Sequence, residues 1–230
     1  MILAAPLMAD WPQGGVPVGA APGNDIGAAV VPDGQGGVIY VWLSAGENAV
    51  KARRVDRYGH DVWMAGQVAV SPMGATTPGG FAAVSDGQGG AIVAWQERTT
   101  SPYEVRIQRI DQDGNLGWSP DGIPMWATVT LREQSNPVLV KGPSRVFAVY
   151  HQTNAVPPNT IDLYAQCFDL AGSRLWGDYG AVVCTTVVGD NRNHAAIARG
   201  DSSIMVAWED FRSGNGDIYA NALVNGSAWA

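Results

Sequence analysis

Pro32–Trp42 reads PDGQGGVIYVW, and Ser85–Trp95 reads SDGQGGAIVAW, the same phrase written again within one chain. Each phrase is a glycine-rich turn, a short apolar run and a tryptophan. An Asp-Gly turn supplies the positive φ that a tight hairpin needs, and a β-branched apolar run that follows it reads as a buried strand. Two further copies are degenerate: NPVLVKGPSRVFAVY at Asn136–Tyr150 and HAAIARGDSSIMVAW at His194–Trp208. The phrase therefore marks one structural unit repeated four times.

Working outward, Trp11, Trp63, Trp118 and Trp176 each open a second clause: WPQGGVPV, WMAGQVAV, WSPDGIPM and WGDYGAVV. A third clause alternates in polarity: AVKARRVDRYG, EVRIQRIDQDG, DLYAQCFDLAG and DIYANALVNG. Each copy thus divides into four strand-like runs separated by turn residues, which describes a four-stranded antiparallel blade. The expected fold is all-β, a β-propeller with four blades in the chain. Residues 1–10 form a tail and 11–230 the propeller domain. In this reading the DGQGG turns join first and second strands, Asp33 and Asp86 are turn formers, and the tryptophans that end the second strands are core.

Bulk composition agrees. Hydrophobic residues are 46% and charged residues only 15%, with 29 Gly and 14 Pro, which suits many short strands and argues against long solvent-facing helices. A net charge of −7 lacks the basic stripe that a phosphate backbone requires, so no nucleic-acid partner is expected. Cys167 and Cys184 match no disulfide framework or metal spacing and read as small buried residues. No apolar stretch reaches the length of a membrane span, and the opening MILAAPLMADW lacks the basic start of a signal peptide.

The phrases WEDFRSGNGDIYANAL (Trp208–Leu223) and WQERTTSPYEVRIQRID (Trp95–Asp111) resemble the Trp/Gly-rich blade repeats of exported bacterial β-propellers. The resemblance covers nearly the whole chain, and the third copy departs from it with KGPSR and Tyr150. It implies a propeller fold and an exported parent family, and hardly constrains activity.

The phase of the repeat bears on closure. WPQGGVPV is a fourth strand with no blade before it, and NGSAWA ends the last copy before its fourth strand develops. The N-terminal strand is expected to complete the last blade, either within one four-bladed chain or by strand exchange in an eight-bladed homodimer.

Strand direction places the longer loops on one face, together with the connections into the innermost strands. Rigid scaffolds present function on such loops. Aligning the copies brings Asp25, Arg132–Glu133 and Asp190–Asn191 to one position, where the second copy has Thr77–Pro78; Asn136, Asn193 and His194 follow. Oxygen donors of this kind suit Ca²⁺, so Asp25, Glu133, Asp190, Asn136 and Asn193 are candidate ligands at the axis. His194 is the candidate general base, set against a structural histidine. Glu97, Glu209 and Asp210, with Arg98 and Arg212 nearby, read as ion pairs that fix loops. There is no HExxH, GxSxG or Cys-His arrangement. The expected function is a propeller module binding a small molecule, glycan or protein on its long-loop face. The alternative is a Ca²⁺-dependent hydrolase, by likeness to propeller enzymes resembling phosphotriesterases and lactonases.

Overall fold

A computed structural model describes residues 11–19, 22–72, 80–98, 101–128, 132–153, 160–186 and 188–228. The expected Thr77–Pro78 position and Trp229 lie outside them. Among the described residues there is no helix, and sixteen strands form four antiparallel sheets. Sheet 1 holds β1 (Asp25–Pro32), β2 (Val38–Ser44), β3 (Ala49–Val55) and β4 (Gln67–Ala69). Sheet 2 holds β5 (Phe81–Ser85), β6 (Ala91–Glu97), β7 (Glu104–Ile110) and β8 (Ile123–Pro124). Sheet 3 holds β9 (Glu133–Lys141), β10 (Arg145–Thr153), β11 (Ile161–Asp169) and β12 (Ala181–Cys184). Sheet 4 holds β13 (Asn191–Arg199), β14 (Ser203–Asp210), β15 (Asp217–Val224) and β16 (Ser227–Ala228).

In every sheet the strands pair in chain order, and the first strands touch in succession: β1 with β5, β5 with β9, β9 with β13. The sheets therefore stand around a common axis like successive blades, with β1, β5, β9 and β13 innermost. Sheets 1, 2 and 3 each bury one face against the sheet that follows. Val41, Val50 and Ala52 of sheet 1 meet Ala91, Val93 and Trp95 of sheet 2. Ile92, Ala94 and Ile107 meet Val146, Ala148 and Tyr150. Phe147, Val149 and Leu163 meet Ile204, Val206 and Trp208. The expected core aromatics Trp42, Trp95, Tyr150 and Trp208 are all buried, Trp95 completely.

The repeated turn has a second use. Asp33 Oδ1 accepts from the Gln35 and Gly37 amides, both at 2.8 Å, which closes the hairpin. Its Oδ2 takes Arg54 Nη2 at 2.9 Å, and Arg54 Nη1 donates to Gln112 O in sheet 2. Asp86 and Arg109 repeat the device, with Arg109 Nη1 reaching Leu170 O in sheet 3. The turn aspartate thus anchors an arginine that ties one sheet to the next. In sheet 3, Cys167 stands at the arginine's position, and the KGPSR turn docks directly on sheet 4: the Ser144 and Arg145 amides donate to Asp201 Oδ1 at 2.8 and 3.1 Å. That exchange of anchors accounts for the third copy's departure.

Of the two expected closures, the one within a single four-bladed chain is not formed among the described residues. Trp11–Gly19 makes no strand and does not join sheet 4, whose outermost strand is the two-residue β16. It lies against sheet 1, where Arg53 Nη1 donates to Pro17 O and Val18 O. The contact follows the repeat. Gly114, Gly172 and Gly226 each leave room for the tryptophan of the preceding clause, a Cβ there standing 2.9–3.1 Å from the rings of Trp63, Trp118 and Trp176. Gly59 does the same for Trp11, at 3.4 Å. Trp11–Gly19 therefore occupies the place of the outermost clause of a sheet preceding sheet 1.

Candidate functional site

The innermost strands β1, β9 and β13 each carry a bulge near the start, where the register on the second strand shifts. One kind of bulge places a residue in the left-handed region. Sheet 1 uses Gly27 (φ 61°), while sheets 3 and 4 use Asn136 (φ 49°) and Asn193 (φ 47°). Asparagine tolerates this conformation, and its amide remains on the surface that faces the axis. Asn136 and Asn193 thus have a backbone reason for their identity, and the bulge also sets where their side chains go.

The two amides border a cavity of about 360 Å³ at the long-loop end of the axis. Gly80 and Phe81 of sheet 2, His151 of sheet 3 and His194 of sheet 4 complete it. Three sheets contribute, so the cavity exists only because the repeats assemble. Asn136, Asn193 and His194 are the sequence candidates that the structure brings together here.

A chain of hydrogen bonds links the polar lining. His194 Nε2 stands 3.2 Å from Val149 O, which can only accept, so that nitrogen carries the proton. His194 Nδ1 must then accept, and His151 Nε2, 3.1 Å away, donates to it. His151 Nδ1 in turn accepts from Asn136 Nδ2 at 3.1 Å. The tautomers and the Asn136 amide orientation follow from this one carbonyl. Both imidazoles are neutral. Burial, and then the neighbouring His194, push His151 down to about 4, and burial also lowers His194.

His194 therefore has both ring nitrogens engaged and is 8% exposed, which leaves no nitrogen for a substrate proton. Its expected role as general base is replaced by a structural one, joining sheets 3 and 4. His151 is the residue the sequence reading missed. It follows Tyr150, and β10 runs through it to Thr153, so it is a buried strand residue where a loop was expected. The aligned positions are Leu43, Gln96 and Glu209, all within second strands, and that column was the available clue.

The carboxylates behave otherwise. Asp190 Oδ2 pairs with Arg192 at 2.7 Å, and its Oδ1 accepts from the Ile161 amide. Asp25 and Glu133 are exposed. Among the described residues no three His, Cys, Asp or Glu side chains form a group able to hold a metal ion, so Asp25, Glu133 and Asp190 do not converge. Asn136 and Asn193 spend their amide nitrogens on His151 and on Glu209 Oε2. This donor set does not fit Ca²⁺, which takes six to eight oxygens. Asp210 pairs with Arg212 as expected, whereas Arg98 turns to Gln96 Oε1 and Glu97 accepts from the Trp95 indole.

No protein-family model and no curated protein sequence matches the chain. Among solved structures, it is similar to an α-L-arabinanase of Penicillium chrysogenum complexed with arabinobiose, at 14% identity and a TM-score of 0.47. The match covers 81% of this chain and 59% of that one. It is also similar to the GH43 endo-arabinanase from Bacillus licheniformis, at 11% identity and 0.43, covering 85% and 73%. A mannose phosphorylase from Leishmania mexicana stands at 8% and 0.44, covering 88% and 70%.

Proposed function

We propose that the chain is a propeller-type binding module whose axial cavity takes a neutral, polyhydroxylated small molecule, such as one sugar unit of a glycan. The observation that carries this is the polarity of the two bulge asparagines. Each commits its amide nitrogen to the protein, to His151 and to Glu209, and retains its oxygen as the remaining acceptor. A ligand that donates hydroxyl protons satisfies two such acceptors, and the half-buried Phe81 ring offers an apolar face beside them. The imidazoles are neutral, which favours an uncharged ligand over an anion. Among the described lining residues there is no carboxylate, whereas glycoside hydrolysis needs a pair of them, so binding is the reading supported.

Titration with a panel of neutral mono- and oligosaccharides, followed by calorimetry and by amide NMR, tests this. Asn136→Gly and Asn193→Gly are the informative variants, because glycine keeps the positive φ and removes only the amide. Saturable binding that shifts the resonances of Phe81 and His151 and is lost in both variants is expected. Binding that survives both substitutions, or no binding by any neutral sugar, overturns the reading.

A further inference from the structure

The face of sheet 4 that points away from sheet 3 is apolar and uncovered. Ile197, Met205 and Ile218 are 60%, 42% and 75% exposed. Their partners by repeat alignment have the opposite fate. Ile218 corresponds to Val50, Val105 and Leu163, and Met205 to Ile39, Ile92 and Phe147; all six are completely buried against the following sheet. At the other end, sheet 1 shows the complementary surface. Val30 is 58% exposed where the corresponding Leu139 of sheet 3 is 7%, and Tyr40 is only half-buried where Val93, Ala148 and Val206 are buried. The Trp42 indole N–H, on the same side, is buried without a partner, while the Trp95 and Trp208 indoles bond Glu97 and Asp210.

A second observation concerns strands. β4, β8 and β12 pair with the middle of the third strand, at Lys51–Arg53, Arg106–Ile107 and Leu163–Ala165. In sheet 4, among the described residues, the matching stretch Tyr219–Asn221 has no outer partner strand, β16 pairing with Leu223 and Val224. The clause that belongs there by repeat phase is Val16–Val18, which this chain holds against its own sheet 1. It holds it as the other sheets hold the clause before them. Arg53 reaches Val18 O as Gln166 reaches Met125 O and Asn221 reaches Val183 O.

We infer that the occupant of both vacancies is a second copy of this chain, its sheet 1 packed on sheet 4 and its Val16–Val18 added as the missing strand beside Tyr219–Asn221. The blade-to-blade contact made three times within the chain would then continue across the junction. Two copies close the ring with two identical junctions and give β15 the outer partner that the other third strands have. The face is apolar and small in side chain, with Ala207, Ala220 and Ala222 around Ile218, as the inner contacts are. This inference is independent of what the cavity binds.

Light scattering coupled to gel filtration should give twice the chain's 24.2 kDa. Ile218→Arg, on the face of sheet 4 turned away from sheet 3, should halve that mass while keeping the β-sheet circular dichroism. Because that variant could fail to fold, Val16→Cys with Ala220→Cys provides a second measurement. Oxidation should yield a reductant-sensitive species of two chains. A single-chain mass at all concentrations, a dimer unaffected by Ile218→Arg, a disulfide formed within one chain, or open-ended larger assemblies would each overturn the inference.

Discussion

Leu163 and Ile218 occupy the same place in the repeat, near the start of a third strand and opposite His151 and Glu209, on the face toward the next sheet. Leu163 is completely buried and Ile218 is 75% exposed. Their residue types are interchangeable, and their strands pair with second strands in the same way. What differs is whether another sheet follows. In a repeat protein each unit buries its apolar face only on its neighbour, so burial belongs to the pair of units and not to the sequence of one. The contrast between these two residues is therefore a measure of what the neighbouring sheet contributes.

The most direct way to break the comparison is to truncate the buried member. Leu163→Ala should cost about 2–5 kcal/mol, the usual range for deleting a buried leucine side chain and leaving a cavity. It lies between Phe147 and Cys167 on one side and the Ile204–Val206 strand on the other, so the site has little freedom to collapse. Urea denaturation of the variant measures this. A loss below about 1 kcal/mol would mean that sheets 3 and 4 do not form the tight contact described.

The repeats made most of the fold legible. The Asp-Gly turns, the second-strand tryptophans and the alternating third clauses stand where the sequence places them, because turn chemistry and alternation are local properties. The arrangement around the axis was legible only in part. Aligning copies put Asn136, Asn193 and His194 in columns that the fold carries to one cavity, since all three follow from strand position. It misjudged Asp25, Glu133 and Asp190, because membership of one column does not say which way a side chain points once a bulge has turned the strand. His151 was hidden by its neighbourhood. Its following residues read as a loop, yet β10 continues through it, and Val149 O on the same strand fixes the proton of the facing His194. The repeat phase left two closures open for a related reason: phase says which strand a clause is, and not which chain it serves.

A second contrast sets sheet 3's buried histidine against sheet 4's Asp210–Arg212 ion pair, and pH separates them. His151 is held neutral, with its folded-state pKa pushed down to about 4 by burial and by His194, against about 6.5 when unfolded. The unfolded chain therefore binds the extra proton between those values. This contribution is fully present above about pH 6.5 and is lost as pH falls toward about 4, amounting to roughly 2–3 kcal/mol. Asp210 acts lower. Hydrogen bonds from Arg212 hold it down to about 2, so its stabilisation is present above its ordinary value near 4 and disappears between there and about 2. Melting temperature should thus fall in two stages on acidification. His151→Gln, which installs the residue found at the matching position 96, should flatten the first stage and leave the second. A single transition confined below pH 4 would remove the buried neutral histidine from the account.

The smallest expected effect is the sharpest test of the opening contrast. Ile218→Ser removes an apolar side chain with as many carbons as Leu163's, yet in a single chain most of that side chain already meets water. Surface substitutions of this kind change stability by less than about 0.5 kcal/mol. Measured at a dilution where the protein runs at 24.2 kDa, the variant should unfold at nearly the same urea concentration as the parent. At higher concentration the two should diverge, because the parent gains stability from a covered Ile218 and the variant does not, and that gain grows with concentration by mass action. The concentration dependence, not the size of the loss, is the diagnostic. If Ile218→Ser destabilises the dilute single chain as much as Leu163→Ala does, then sheet 4 is covered from within the chain. If parent and variant stay together at every concentration, the face is simply left to solvent. Only divergence with concentration makes Ile218 the fourth instance of the contact that Val50, Val105 and Leu163 already make.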